Sequence, residues 1–365
     1  MATANEILQD RAVDHAINML RYERGVALQM VAILNKAEPR LVAMIAEALL
    51  RLDRESFTVE RLEQLLASAR ALNTETYASI EQSMQPGMRG EAEAEAMYQA
   101  TSLRAAVPQV VQVRFPIAAI APEQVYAAAL SRPFQGRLLS GWMANLADSR
   151  AATIRNAIRS GYVDGLTATD IVRKLRGTRA NNYADGVLQR PRQELQTVVQ
   201  TALSHTAQTA RSAFVAANGD LVKAERWVST LDNRTSAPCR IRDGLRYTAD
   251  DKHRPIGHSI PWLGGPGRLH FCCRSVSVPV VKSMRELGLD IEDMTPATRA
   301  SMDGQVPAEQ TYGEWFARQS AARQDEIVGP DRGRLFRQGK VKFDTFYDNK
   351  GQWLSLPELL SRAGA

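Results

Sequence analysis

Apolar positions recur at helical spacing through the first part of the chain. Ile7, Leu8, Val13, Ile17 and Leu20 form one stripe, and Val26, Met30, Ile33 and Leu34 continue it past Gly25. Pro39 is expected to end this segment, because a proline ring fits poorly in a helix interior. A second helix is expected over 40–52. Thr58 reads as the N-cap of a third, which carries Leu62, Leu65, Leu66 and Ala69. Asn73 or Thr74 would start the next, and Pro86-Gly87 reads as a stop. Glu and Ala alternate from Glu91 to Ala96, which reads as a solvated helical face. The pattern changes over 107–120, VPQVVQVRFPIAAI. Its β-branched residues and two prolines predict an extended arm or edge strand, with a domain boundary at its start.

Helical spacing then resumes. A turn at Pro133–Gly136 precedes one helix marked by Leu138, Leu139, Trp142, Met143 and Leu146, and another marked by Ile154, Ile158 and Tyr162, which Gly165 ends. Thr167 and Asp170 have capping-box spacing, and the short helix that follows stops at Gly177. Pro191 opens a long helix to Ala217, with Leu195, Val198, Val199, Ala202, Thr206 and Ala213 on its inner face. Asn218-Gly219 closes it. His205 lies in this helix and reads as a packed residue.

Alternation replaces the helical period at Lys223. Trp227, Ser229 and Leu231 alternate with Arg226, Val228 and Thr230, which predicts a strand. Asp243-Gly244 is a tight turn into a second strand at 245–247, and 269–281 is a third, with Val276, Val278 and Val280 on one face. The fold class expected is therefore α+β: a mainly helical N-terminal two-thirds, a small β-meander core and a small C-terminal helical or irregular unit. The regions expected are 1–106 (helical), 107–220 (helical, with the extended arm first), 221–300 (β-rich) and 301–365 (C-terminal extension).

Composition narrows the function classes. The 365 residues have room for two or three domains, and 44% hydrophobic residues suffice for a core. The net charge of +6 and pI near 9.3 permit contact with a polyanion without requiring it. The polar, acid-bearing start, MATANEILQDRAVDH, predicts no leader peptide, and no apolar run reaches the ~20 residues of a membrane span. A soluble protein made in a reducing cytosol is expected.

The unusual chemistry gathers in 227–277, which holds all 3 cysteines. A structural zinc site uses two close pairs of Cys or His ligands. Here Cys239 stands alone at one end and His270, Cys272 and Cys273 stand at the other, with His253 or His258 as further donors. One expected pair is incomplete, so the thiols read as small packed hydrophobes and no cofactor is expected. Cys239, His270 and Cys273 are the metal candidates, and a Cys239–Cys273 disulfide is the alternative. A Cys nucleophile with His270 as base has no recognisable oxyanion element, so no catalytic residue is assigned. The C-terminal tail interleaves aromatic residues with Arg332, Arg334, Arg337, Lys340 and Lys342, a pattern suited to nucleic acid or to a small folded unit with a basic face.

Trp227, the run from Thr230 to Ser236 with Asp232, Arg234 and Thr235, then Cys239, Arg242-Asp243-Gly244, and His270-Phe-Cys-Cys273-Arg274-Ser275 resemble the signature of the phage Mu protein F-like family. That pattern has a Cys pair after the first turn and closes with His-Pro-x-Cys-Arg-Cys. Ser236 and Ser275 stand here in two of its Cys positions, and Phe271 replaces its Pro. The resemblance extends from about Gln135 to the C-terminal end, while 1–130 carry no motif. It implies a non-enzymatic minor head protein of a tailed phage, made in the host cytoplasm and residing in the virion, in the head interior or at the portal vertex. The partners it implies are the portal protein, the major capsid or scaffolding protein and packaged double-stranded DNA, with no membrane. The competing readings are an internal DNA-associated protein ejected with the genome, an enzyme of the transferase or nuclease type, and a zinc-stabilised interaction module.

Overall fold

A computed structural model of the chain describes residues 3–51, 58–289, 298–301, 304–307 and 310–363. Eight helices come first: α1 (Ala4–Leu50), α2 (Val59–Leu65), α3 (Ala67–Ala106), α4 (Gln109–Arg114), α5 (Pro122–Ser131), α6 (Leu139–Val163), α7 (Ala168–Arg176) and α8 (Gln189–Ala217). There follow β1 (Val222–Val228), α9 (Ala237–Arg240), β2 (Arg246–Thr248), β3 (Pro255–Ile256) and β4 (Val276–Val281). The chain continues as β5 (Thr298–Ser301), β6 (Gly304–Pro307), α10 (Tyr312–Ala317), α11 (Ala321–Val328), α12 (Pro330–Arg337) and α13 (Leu356–Ala363). The fold is mainly helical with a small antiparallel sheet, as the patterning predicts. No helix among the described residues is long and apolar enough to cross a membrane.

Two prolines do not break their helices. Pro39 lies inside α1 and Pro86 inside α3. An interior proline costs on the order of 3 kcal/mol. Around Pro39, however, Leu34, Leu41, Ile45 and Leu49 are all buried, and so are Ile80, Met84, Met88 and Ala92 around Pro86. Each large apolar side chain stabilises by about 1.5–3 kcal/mol on burial, so the continuous stripe outweighs one lost hydrogen bond. Gly87 is not a stop but a contact. A Cβ there would lie 3.1 Å from Val26 Cγ1, and one at Gly90 would lie 2.9 Å from the Tyr22 hydroxyl. Tyr22 donates to the Gly87 carbonyl at 3.0 Å, so α1 and α3 pack closely at this point.

The extended arm is absent. Val110–Val113 belong to α4, and 116–121 have no regular structure. Pro108, with φ −56°, starts this helix readily, and β-branched residues reduce helix propensity only slightly. Only Val111 of its valines is buried. The Gln112 amide donates to the carbonyls of Arg104 and Val107, both at 2.7 Å, and so satisfies the end of α3. Asn218 holds the irregular segment: its side chain accepts from Ala118 N–H at 2.8 Å and donates to Ala118 O at 3.0 Å.

Local signals elsewhere are realised. Thr58 caps α2, accepting from Arg61 N–H. Thr167 and Asp170 form the complete capping box of α7, and Gly177 ends that helix with φ +86°. The two helices expected over 138–162 are one, α6.

The described chain divides into two compact units. One comprises 21–90 and 127–203, the other 1–20, 91–126 and 204–365, so α1, α3 and α8 each contribute to both. The first unit is helical. Its core joins Leu41, Ile45 and Leu49 of α1 to Leu62, Leu72, Ile154, Ile158, Ile171 and Leu175. Within it Arg192 grips both oxygens of Glu38, at 2.6 and 2.7 Å.

The second unit contains the sheet, in the order β3-β2-β1-β4. β1, β2 and β3 follow one another as a meander. β4 does not extend it but returns to the free side of β1, with Trp227 opposite Ser277 and Val228 opposite Val276. One face packs Val228, Val276 and Val278 against Leu103, Phe214 and Val215.

The Glu–Ala run lies in this unit, and its face is not solvated: Glu91 and Glu95 are buried. Glu95 accepts from Arg211 Nε at 2.8 Å and Nη2 at 3.0 Å, from Gln99 at 2.7 Å, and shares a 2.8 Å bond with His15. His15 in turn stacks on Tyr98 at 3.5 Å between centroids. Burial alone would raise the Glu95 carboxyl, but Arg211, His15 and Gln99 overcome it and hold the group at about 2, below its ordinary 4.5. A carboxyl depressed in the folded state stabilises above its unfolded value, and this contribution fades as pH falls from about 4.5 towards 2. Glu95→Gln removes the carboxylate that Arg211 bonds in the interior and leaves only the nearby Glu91 to offset its charge, which costs up to about 3–5 kcal/mol near neutrality. Melting of wild type and variant as a function of pH should show a gap that narrows below pH ~4.5. A gap independent of pH would exclude an ionised Glu95.

Candidate functional site

The 227–275 signature is assembled by the pairing of β1 with β4. Trp227 is fully buried and faces Trp262 edge-on at 5.4 Å, with Tyr247 at 6.5 Å. Arg242 is also fully buried. Its guanidinium lies 5.8 Å from the Trp227 ring centre and donates to the carbonyls of Pro261 at 2.9 Å and Pro238 at 2.7 Å. Burial lowers its pKa. Asp243 turns inward and accepts from Ser229 N–H at 2.7 Å. Gly244 has φ +80° and donates to Trp227 O at 2.8 Å, so the Asp-Gly turn closes the β1–β2 connection where the left-handed conformation is cheap for glycine.

Asp232 is the node of the first turn. It accepts from Arg234 N–H at 3.0 Å and Thr235 Oγ1 at 3.1 Å, and takes Arg274 in a two-pronged pair at 2.7 and 2.8 Å. Burial would raise its carboxyl; Arg274 and Thr235 outweigh that and hold it below the usual range. Tyr312 of α10 donates to Asp232 O at 2.9 Å, so the C-terminal helices lean on the same turn. The Arg234 side chain is exposed, unlike its neighbours in the signature.

Beyond this node two tight turns face each other. In Ser236–Cys239 the Cys239 N–H donates to Ser236 O at 3.0 Å, and in His270–Cys273 the Cys273 N–H donates to His270 O at 3.2 Å. Cys272, inside the second turn, is in the left-handed region, φ +52°, with its side chain exposed. Cys239 and Cys273 are buried, with sulfurs 3.6 Å apart. His270 Nε2 lies 3.4 Å from Cys239 Sγ and 2.7 Å from Ser236 Oγ, while Nδ1 meets Phe271 O at 2.9 Å. Sharing a hydrogen bond with Cys273 raises the Cys239 thiol, and burial adds to this; the same bond lowers Cys273, with His270 helping. The Cys273 contact, working against burial, raises His270.

These three are the group among the described residues whose ligand atoms lie within 4.8 Å of one another. His253 and His258 do not join them. His253 stacks on Trp262 at 4.5 Å and approaches Glu225 at 3.5 Å, and His258 bonds Arg246 O at 2.9 Å. Ser275, in the other Cys position of the family pattern, shares a 3.0 Å bond with Ser229.

The tail is a folded unit. Tyr312, Trp315, Phe316, Phe343, Phe346 and Tyr347 form its core with Leu231, so these rings are not displayed for base stacking. Arg332 donates to Leu354 O at 2.8 Å and covers the Trp353 ring at 4.9 Å. Arg334 pairs with Asp331 at 2.9 Å and Arg337 with Asp325 at 2.7 Å. Lys340 and Lys342 are exposed. Trp262 and the buried Glu225, which carry no sequence signal, complete the site beside Arg242 of the signature.

A helical arm, a four-stranded antiparallel sheet and two facing turns thus define a scaffold built around the signature. Residues 152–278 match the family model described as phage Mu protein F like protein. The matched segment starts within α6 and ends in β4, so it contains both turns. Over this segment, about a third of the chain, the protein is similar to the phage Mu protein F-like family. No curated protein and no solved structure gives a match.

Removing the Asp232–Arg274 pair tests the node. Asp232→Ala and Arg274→Ala should each lower unfolding stability by about 1–3 kcal/mol. The double variant should lose less than the sum, with a coupling of about 1–2 kcal/mol. Additive losses in urea unfolding would mean that the pair carries no joint energy.

Proposed function

We propose that this chain is a minor head protein of a tailed phage that docks on the portal or the capsid interior and assists head assembly or genome delivery. The observation that carries the reading is the family match over 152–278. The geometry supports a structural use of that segment. Asp232, Asp243, Arg242 and Arg274 bond inward, and the two thiols are buried. The signature then acts as a rigid carrier, and partners meet the surfaces around it.

Retention of the purified full chain by the portal and major capsid proteins encoded beside it, after nuclease treatment, tests the proposal. Stable binding to one of them is expected. Retention by neither, with particles assembling normally when the gene is removed, would overturn it.

Contact with packaged DNA is a finer part of the same reading. Arg332, Arg334 and Arg337 each have a partner within the tail, and the phosphate contacts are assigned to the exposed Lys340 and Lys342. Two such contacts give a log–log salt slope of only about −2. Lys340→Ala with Lys342→Ala should abolish the weak binding measured at low salt; binding that survives both would place the contact elsewhere.

A further inference from the structure

We propose that Cys239, Cys273 and His270 form a binding site for a divalent cation of the zinc class, with Ser236 at the fourth corner. This inference stands on the local geometry and does not depend on the head-protein reading.

Tetrahedral zinc, with bonds of about 2.3 Å to sulfur and 2.0 Å to nitrogen, puts two sulfurs about 3.8 Å apart and a sulfur about 3.5 Å from an imidazole nitrogen. The centre shows 3.6 Å between Cys239 and Cys273 and 3.4 Å between Cys239 and His270. All three ligand atoms lie within 4.8 Å of one another. The two separations that involve Cys239 are thus within a few tenths of an ångström of those an ion would set.

The surroundings are those of a ligand set. Nδ1 of His270 donates to Phe271 O at 2.9 Å, which turns Nε2 towards the sulfurs and fixes the ring. Metal-bound histidines are oriented by such a bond on their second nitrogen. Cys239 lies in the first turn of α9, which Ser236 precedes, and Cys273 ends the turn that His270 begins, each closed by a backbone hydrogen bond. The left-handed Cys272, which costs of order 1 kcal/mol or more in a non-glycine residue, is the conformation that brings Cys273 round to face Cys239. Binding would displace the protons held among the thiols and Nε2 to solvent, and thiolates with imidazole favour zinc over magnesium or calcium. Ser236 Oγ, 2.7 Å from Nε2, occupies the remaining corner as a weak neutral donor. The site is then a three-ligand centre, more weakly binding than a four-ligand one.

The full chain, purified with a non-thiol reductant, is analysed for metal by mass spectrometry and titrated with Co²⁺. About one zinc per chain, a thiolate-to-cobalt absorption band, and a lower melting temperature after chelation are expected. Cys272→Ser should keep the band. Cys273→Ser should weaken binding by about a hundredfold, and Ser236→Cys should tighten it at least tenfold. If Cys273→Ser fails to fold, the metal content and chelator response of the wild type decide. No metal and no cobalt band would overturn the proposal. So would a metal-free, unreduced chain lighter by two hydrogens, which would make the pair a disulfide.

Discussion

The pairing of β1 with β4 is the contact on which the signature depends. It joins residues about fifty positions apart, sets Trp227 opposite Ser277, and thereby presses the turn after β1 onto the turn before β4. Side chains alternate across a strand, so a slip of one residue would exchange the valine face for the face bearing Trp227. The burial of all six residues of β4 leaves no register in which that exchange is cheap. Arg274 reaches Asp232, and Cys273 reaches Cys239, only in the register observed.

Signals within one turn of the chain were readable directly. The capping box at Thr167, the cap at Thr58 and the Asp243-Gly244 turn each depend on neighbours two or three residues away, and all form. What the sequence concealed was set by distant partners. Pro39 and Pro86 looked like breaks because a proline's cost is local and the buried stripe that offsets it is not. Glu95 looked solvated because Arg211 lies 116 residues on. The strand over 107–120 failed for a similar reason: one buried valine and a glutamine capping the previous helix settle the conformation, and neither shows as a period.

The candidate site was half legible. Residue types at Cys239, His270 and Cys273 were visible, as was Asp232, but their juxtaposition was not. Ser236 was visible only as a replaced Cys of the family pattern, and its bond to His270 was not. In the tail the reverse held. The aromatic and basic residues were visible, yet packing turns the rings inward and engages most of the arginines, leaving a basic rim in place of a stacking platform.

The exposure of Cys272 beside two buried neighbours makes the chain its own conformational reporter. A bulky maleimide should label one thiol in the native protein and all three once it unfolds. Because Cys272 projects outward from the turn that positions Cys273, a fluorophore attached there would ride on the signature while leaving its interior packing intact. The same accessibility makes the Cys272 sulfur the atom through which two chains would become covalently joined on storage in air, so a dimer seen without reductant reports oxidation of this thiol before it reports assembly.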